Sequence, residues 1–156
     1  MRPAPAGPPL HIGTCGFSCS EWVEAGVYPA ATRPGQMLAL YSRLFAVVVI
    51  SYIWYQMVRA ETMARMLITA GPDLRICAKL IRTLTHEIAA DWRDQATRYR
   101  QGLQPLADSG RLLAVLVHLP PSFHHTLANR GYLARLGSSL QVRFLRDGTV
   151  RIGENP

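Results

Sequence analysis

The chain has 156 residues, a formal net charge of +7, 49% apolar residues and 17% charged ones. This length and composition describe one globular domain with room for a real core, and they exclude an intrinsically disordered chain. Cys15, Cys19 and Cys77 form no even disulfide framework, and the longest apolar run, Phe45 to Tyr55, is too short to span a bilayer.

Residues 1–9 are rich in proline and lack the apolar segment of a signal peptide. A short disordered tail, reduced thiols and a cytoplasmic location are therefore expected. Strand-like segments follow at His11–Phe17, Ala46–Trp54, Leu74–Leu80, Leu112–Leu119 and Leu140–Phe144. The run from Leu112 to Val117 is continuously apolar, as in a parallel strand buried on both faces. Helices are expected between the strands. Thr32 can cap one that has Pro34 in its first turn and Met37, Leu38, Tyr41, Leu44 and Phe45 on one side. A second spans about Arg59–Ala70 and stops at Gly71-Pro72. A third spans about Asp91–Ala107, where Trp92, Ala96, Tyr99, Leu103 and Leu106 make one apolar stripe. A fourth starts after Thr126 and ends near Gly137.

Alternating strands and helices imply an α/β fold with a parallel sheet. An open doubly wound sheet and a (β/α) barrel compete. A barrel usually takes about 250 residues, so four strand–helix units and a fifth strand make roughly half of one.

Lys79 is the one lysine beside sixteen arginines, and it closes the segment Asp73-Leu-Arg-Ile-Cys-Ala-Lys79, with Thr85-His86 shortly after. The arginines are scattered. A basic balance permits nucleic-acid contact, but no basic run interleaved with aromatics supports it.

Four segments taken in order resemble one family. They are Ile12-Gly-Thr-Cys-Gly-Phe-Ser18 with Trp22 and Tyr28-Pro29; Phe45 to Tyr55; Lys79 with Leu84-Thr85-His86; and His118-Leu-Pro-Pro-Ser-Phe123. Together they resemble the N-terminal part of the YecE-like family, the domain of unknown function numbered seventy-two. The resemblance implies a TIM-type barrel and no defined reaction. The departures from the family pattern are specific. Val49 stands at the family's glutamate position, Ser51 at its asparagine, Gln56 at its arginine and His118 at its glutamine. A later Glu-Phe-Arg-His stretch is only echoed by Arg143-Phe-Leu-Arg146, and Asp147 to Pro156 end the chain without further barrel units.

Strand parity puts Leu74, Ile76, Ala78 and Leu80 on one face, and Arg75, Cys77 and Lys79 on the other. The second set then points into the barrel, with Lys79 at the C-terminal rim where barrel sites are built. Val49 and Ser51 point inward from the second strand, so the lysine lacks its expected carboxylate. A partly buried ammonium without one responds by lowering its pKa or taking an anionic ligand. Lys79, with His86, is therefore expected to hold a small phosphate or carboxylate, helped by Thr85, Thr14, Ser51, Tyr55 and His118.

Other chemistries are weaker. His118, His124, His125 and His86 lack acids at ligand spacing apart from Glu87, so no metal is expected. No motif pairs Cys15 with His86 as nucleophile and base. Gly13 and Gly16 do not form a dinucleotide fingerprint, so no cofactor is expected. The domain is read as 10–146, an incomplete barrel of about four and a half units, followed by a tail over 147–156. A half barrel leaves a strand edge open, which a second copy could close as a homodimer. The expected function is a truncated or degenerate family member with an anion pocket. The alternative is an enzyme for small phosphate- or carboxylate-bearing substrates that uses Lys79 and His86.

Overall fold

The computed structural model describes residues 10–144 and 150–152. The tail expected over 1–9 lies outside the described residues, as does most of the one over 147–156. Strands β1 (Gly13–Cys15), β2 (Val47–Ile50), β3 (Arg75–Lys79) and β4 (Leu112–Leu116) form a four-stranded parallel sheet in that order. The order never reverses, so the sheet lacks the switch point of a doubly wound fold. Each link carries a helix: α2 (Pro34–Leu44), α3 (Ala60–Thr69) and α4 (Trp92–Asp108), with α5 (Leu127–Leu140) after β4. Crossovers of one hand lay these helices on one face.

Burial follows from that layering. Val48, Ile50, Ile76 and Ala78 are buried under the helices, whereas Val49, Cys77 and Lys79 on the other face are only half-buried. The stripe predicted for α4 is fully realised, since Trp92, Ala96, Tyr99, Leu103 and Leu106 are all buried. At the N-terminal end, Trp22 stacks on Tyr41 at 6.1 Å and meets Tyr28 at 5.4 Å. The Tyr28 hydroxyl donates to the Phe17 carbonyl at 2.8 Å. The Tyr41 hydroxyl donates to the Val47 carbonyl at 2.7 Å and accepts from the Thr14 N–H at 2.8 Å, which fastens β1 to β2.

Several expectations are corrected. Of the β4 residues only Leu112 is buried; Leu116 is 46% and Val117 40% exposed. Among the described strands β4 is hydrogen-bonded to β3 alone, and the strand Val150–Ile152 only packs near it, so its other backbone edge is unpaired there. The segment Val142–Phe144 (β5) does form a strand, but it pairs antiparallel with Val150–Ile152 (β6) and not with β4. Arg33, not Thr32, occupies the N-cap of α2, where its N–H donates to Gln36 Oε1 at 2.9 Å. Leu44 is 53% exposed because it falls outside the buried stripe of Met37, Leu38 and Tyr41. α5 runs past Gly137 to Leu140 and stops where Gln141 takes a left-handed φ of 48°. Thr126 caps its start as expected, accepting from the Asn129 N–H. The short helix α1 (Glu21–Glu24) lacked the periodicity to be foreseen.

Buried tyrosines make stability sensitive to alkali. Burial pushes the Tyr28 and Tyr132 phenols up from 10.0 to about 12, with Cys19 and Tyr41 adding to the effect at Tyr28. Below pH 10 both are protonated, folded or unfolded. Above it the unfolded chain releases protons that the folded chain retains, so stability falls as pH rises. The tyrosines' contribution to the denaturant midpoint is expected to be level up to about pH 10 and to drop between about 10 and 12. Tyr132→Phe should make that drop shallower; an unchanged slope in a chemical-denaturation series would contradict the assignment.

Candidate functional site

The C-terminal ends of β2, β3 and β4 gather a compact group. The period-2 alternation of β3 leaves Lys79 on the uncovered face, and the Tyr99 hydroxyl pins its backbone by donating to the Lys79 carbonyl at 3.0 Å. After β2 the chain turns through a single 3-10 turn, Tyr52–Trp54, which buries Ile53 and brings the Trp54 indole over the neighbouring strand. Lys79 Nζ lies 5.1 Å from the centroid of the Trp54 ring. This is a cation–π contact, and such contacts are worth about 0.5–2 kcal/mol depending on exposure.

His86 meets the same indole edge-on at 5.2 Å, and His118 stands 6.0 Å beyond His86. Thr85 is 1% exposed. Its hydroxyl donates to the Ile81 carbonyl at 3.2 Å and lies 2.9 Å from His86 Nδ1. The direction of this Thr85–His86 hydrogen bond follows the imidazole tautomer. Thr85 therefore orients the imidazole and has no exposed surface of its own.

The other sequence candidates sit apart. Tyr55 is 72% exposed and packs edge-on against Trp54 at 4.7 Å. The Thr14 hydroxyl donates to the Gly16 carbonyl at 2.7 Å and belongs to the Tyr41 network. Ser51 Oγ lies 2.7 Å from Cys15 Sγ, joining the ends of β1 and β2. Cys77 occupies the uncovered face below Lys79, where burial pushes its thiol up, partly opposed by a hydrogen bond with the Ala114 backbone. Sequence reasoning missed Trp54, because Ala46–Trp54 reads as one strand. The signal available was its position three residues beyond the last inward residue, Ser51, where a strand leaving the sheet must turn. Among the described residues, no group of three His, Cys, Asp or Glu side chains could hold a metal ion. No described helix is long and apolar enough to cross a membrane.

A family model described as "Protein of unknown function DUF72" matches residues 11–146. The chain belongs to the DUF72 family. It is similar to a solved DUF72 family protein from Thermotoga maritima, with 27% identity and a TM-score of 0.69 over 83% of this chain and 51% of that one. Two structures of a DUF72 family protein from Enterococcus faecalis, each 20% identical, share the fold with TM-scores of 0.63 and 0.70. They cover 70% and 84% of this chain, and 46% and 47% of theirs. The chain thus spans about half the length of these DUF72 relatives. No curated protein matches it. Within this DUF72 chain the motif residues divide by physical role: Gly13, Trp22 and Tyr28 build the β1 end of the fold, while Lys79, His86 and His118 line the open rim.

Proposed function

We propose that this DUF72 chain is a partial TIM-type (β/α) barrel of cytoplasmic type that binds a small anion at the C-terminal ends of its strands. The supporting observation is a convergence of donors without an acid. Lys79 Nζ and the His86 ring lie 5.1 and 5.2 Å from the Trp54 ring, and His118 stands 6.0 Å from His86. None of the four strands contributes an aspartate or glutamate. An ammonium and two imidazoles offer charge-assisted N–H donors to phosphate or carboxylate oxygens. In the free protein the Trp54 face substitutes for the missing counter-ion, and an incoming anion would draw Lys79 off the ring.

Titration of inorganic phosphate and of short phosphorylated carboxylates by calorimetry tests this reading. Lys79→Met is expected to weaken binding at least tenfold, equivalent to about 1.4 kcal/mol. Equal affinity of the variant and the parent chain would refute the role of Lys79. The Thr85–His86 arrangement favours a second reading, in which His86 Nε2 serves as a base for a small phosphate- or carboxylate-bearing substrate held by Lys79. That reading requires turnover that His86→Gln abolishes while anion affinity stays within a few-fold. On the first reading, the chain binds without reacting, as a degenerate family member would.

A further inference from the structure

The Tyr52–Trp54 turn that carries the indole to Lys79 has a second side. There it walls a cavity of about 400 Å³ together with the start of α3. Small-molecule sites usually occupy about 300–1,000 Å³. None of Trp54, Lys79, His86 and His118 lines this cavity, so it is separate from the anion pocket.

The floor is apolar and packed. Ile53, Val58 and Met63 line it, and each is 5% exposed or less. Ile53 is buried by the turn, Val58 abuts Gly102 of α4, and Met63 lies on the buried side of α3. The walls carry polar groups from Tyr52, Gln56, Arg59 and Thr62. Among the described residues, none of these four side chains makes a hydrogen bond or an ion pair. The Thr69 and Thr97 hydroxyls donate to the carbonyl four residues earlier. Thr62, in the first turn of α3, has no helical carbonyl at that spacing and keeps its hydroxyl for the cavity. Burial pushes the Tyr52 phenol up, so it remains a donor at neutral pH.

The single cation sets the charge of the ligand. No aspartate or glutamate lines the cavity, so the Arg59 fork has no acid there. A monoanion neutralises it, whereas a dianion would leave a charge against an apolar floor. A planar carboxylate matches the guanidinium fork. It accepts up to about four hydrogen bonds, more than the fork's two, so hydroxyl and amide donors have work beside the arginine. We propose that this cavity binds a small aliphatic monocarboxylate, with its carboxylate on Arg59, Tyr52, Gln56 and Thr62 and its chain over Ile53, Val58 and Met63.

Calorimetric titration with acetate, butyrate and hexanoate tests the inference on the full chain. Affinity is expected to rise along the series, by up to about fourfold for each methylene that leaves water. Arg59→Gln should weaken hexanoate binding at least tenfold and leave inorganic phosphate binding unchanged. Lys79→Met should do the reverse, so failure of this site and failure of the anion pocket are told apart. Arg59 is exposed, and its substitution removes no core packing. Thr62→Val keeps the shape of the side chain and should weaken hexanoate about fivefold, as loss of one hydrogen bond does. Acetate bound as tightly as hexanoate would overturn the proposal, because the floor would then contribute nothing. So would hexanoate binding that Lys79→Met weakens as much as Arg59→Gln, or the absence of saturable hexanoate binding in the millimolar range.

Discussion

Replacing Arg111 by methionine should lower stability by about 3–4 kcal/mol, a substantial share of the roughly 5–15 kcal/mol a folded domain has to lose. Arg111 stands just before β4, and its guanidinium donates to three backbone carbonyls. Nε reaches Leu74 at 2.9 Å, one terminal nitrogen reaches Leu67 at 3.2 Å, and the other reaches Gly71 at 2.6 Å. Leu67 lies in the last turn of α3, where the helix leaves carbonyls unsatisfied, and Gly71 follows its cap. The cation also sits at the negative end of the helix dipole. Burial pushes the guanidinium pKa down, opposed by Asp73, so desolvation weighs against the charge and hydrogen bonding must outweigh it. Methionine retains much of the aliphatic stem but removes three donors at once, although the Gly71 carbonyl keeps the Leu74 N–H at 3.2 Å. A fall of the thermal midpoint of roughly 10 °C follows for about 150 residues. Arg111→Lys keeps the charge without the fork and should recover less than half of the loss. A thermal scan in which Arg111→Met melts within about 2 °C of the parent chain would remove Arg111 from this role.

Gly102→Ala is expected to cost about 2–4 kcal/mol, although alanine is the better helix former. Gly102 is buried in the middle of α4, and a Cβ there would stand 2.4 Å from the Val58 carbonyl oxygen and 2.6 Å from Val58 Cγ1. The first contact is with backbone, so no side-chain rotation relieves it. Either α4 withdraws from the segment before α3, opening the core around Tyr99 and Leu103, or that segment shifts and carries the 3-10 turn of Trp54 with it. The second route disturbs the strand ends that carry Trp54 and Lys79, so under the proposed function the variant should also weaken anion binding. Gly137 is the matched control. It lies within α5 with nothing near its missing Cβ, so Gly137→Ala should stabilise by roughly 0.5–1 kcal/mol. Equal effects at the two positions would show that helix propensity, and not contact with Val58, governs Gly102.

Gly13 shows why a short contact alone does not set the size of such an effect. Its Cβ would fall 1.8 Å from the Val47 carbonyl oxygen, closer than at Gly102. Yet β1 is a three-residue strand whose outer side is unpaired among the described strands, and it can move outward. α4 is packed on several sides and cannot.

The strand–helix alternation, the buried stripe of α4 and the two faces of β3 were all legible in the chain. Each depends on a period of 2 or 3.6 residues, and a period is contained in a short stretch of sequence. Lys79 was legible for the same reason, since parity together with its place at the strand end puts it on the open rim. So were Gly13, Trp22 and Tyr28 as motif positions, although their work turned out to be packing.

Tertiary structure decided what depends on partners distant in sequence. Arg111 carries no local signal, because its three acceptors lie 37, 40 and 44 residues earlier. Trp54 reads as the end of a strand until the chain turns off the sheet and lays the indole against Lys79. β4 has the composition of a strand buried on both faces, but among the described strands only β3 pairs with it, and its outer residues stay partly exposed. Sequence by itself determined the elements, the parallel α/β class and the face on which the cations stand, because these follow from local periodicity. Only the tertiary structure decided which strand β4 pairs with, which carbonyls Arg111 reaches and which aromatic ring holds the lysine, because each is a contact between segments whose meeting no local pattern encodes.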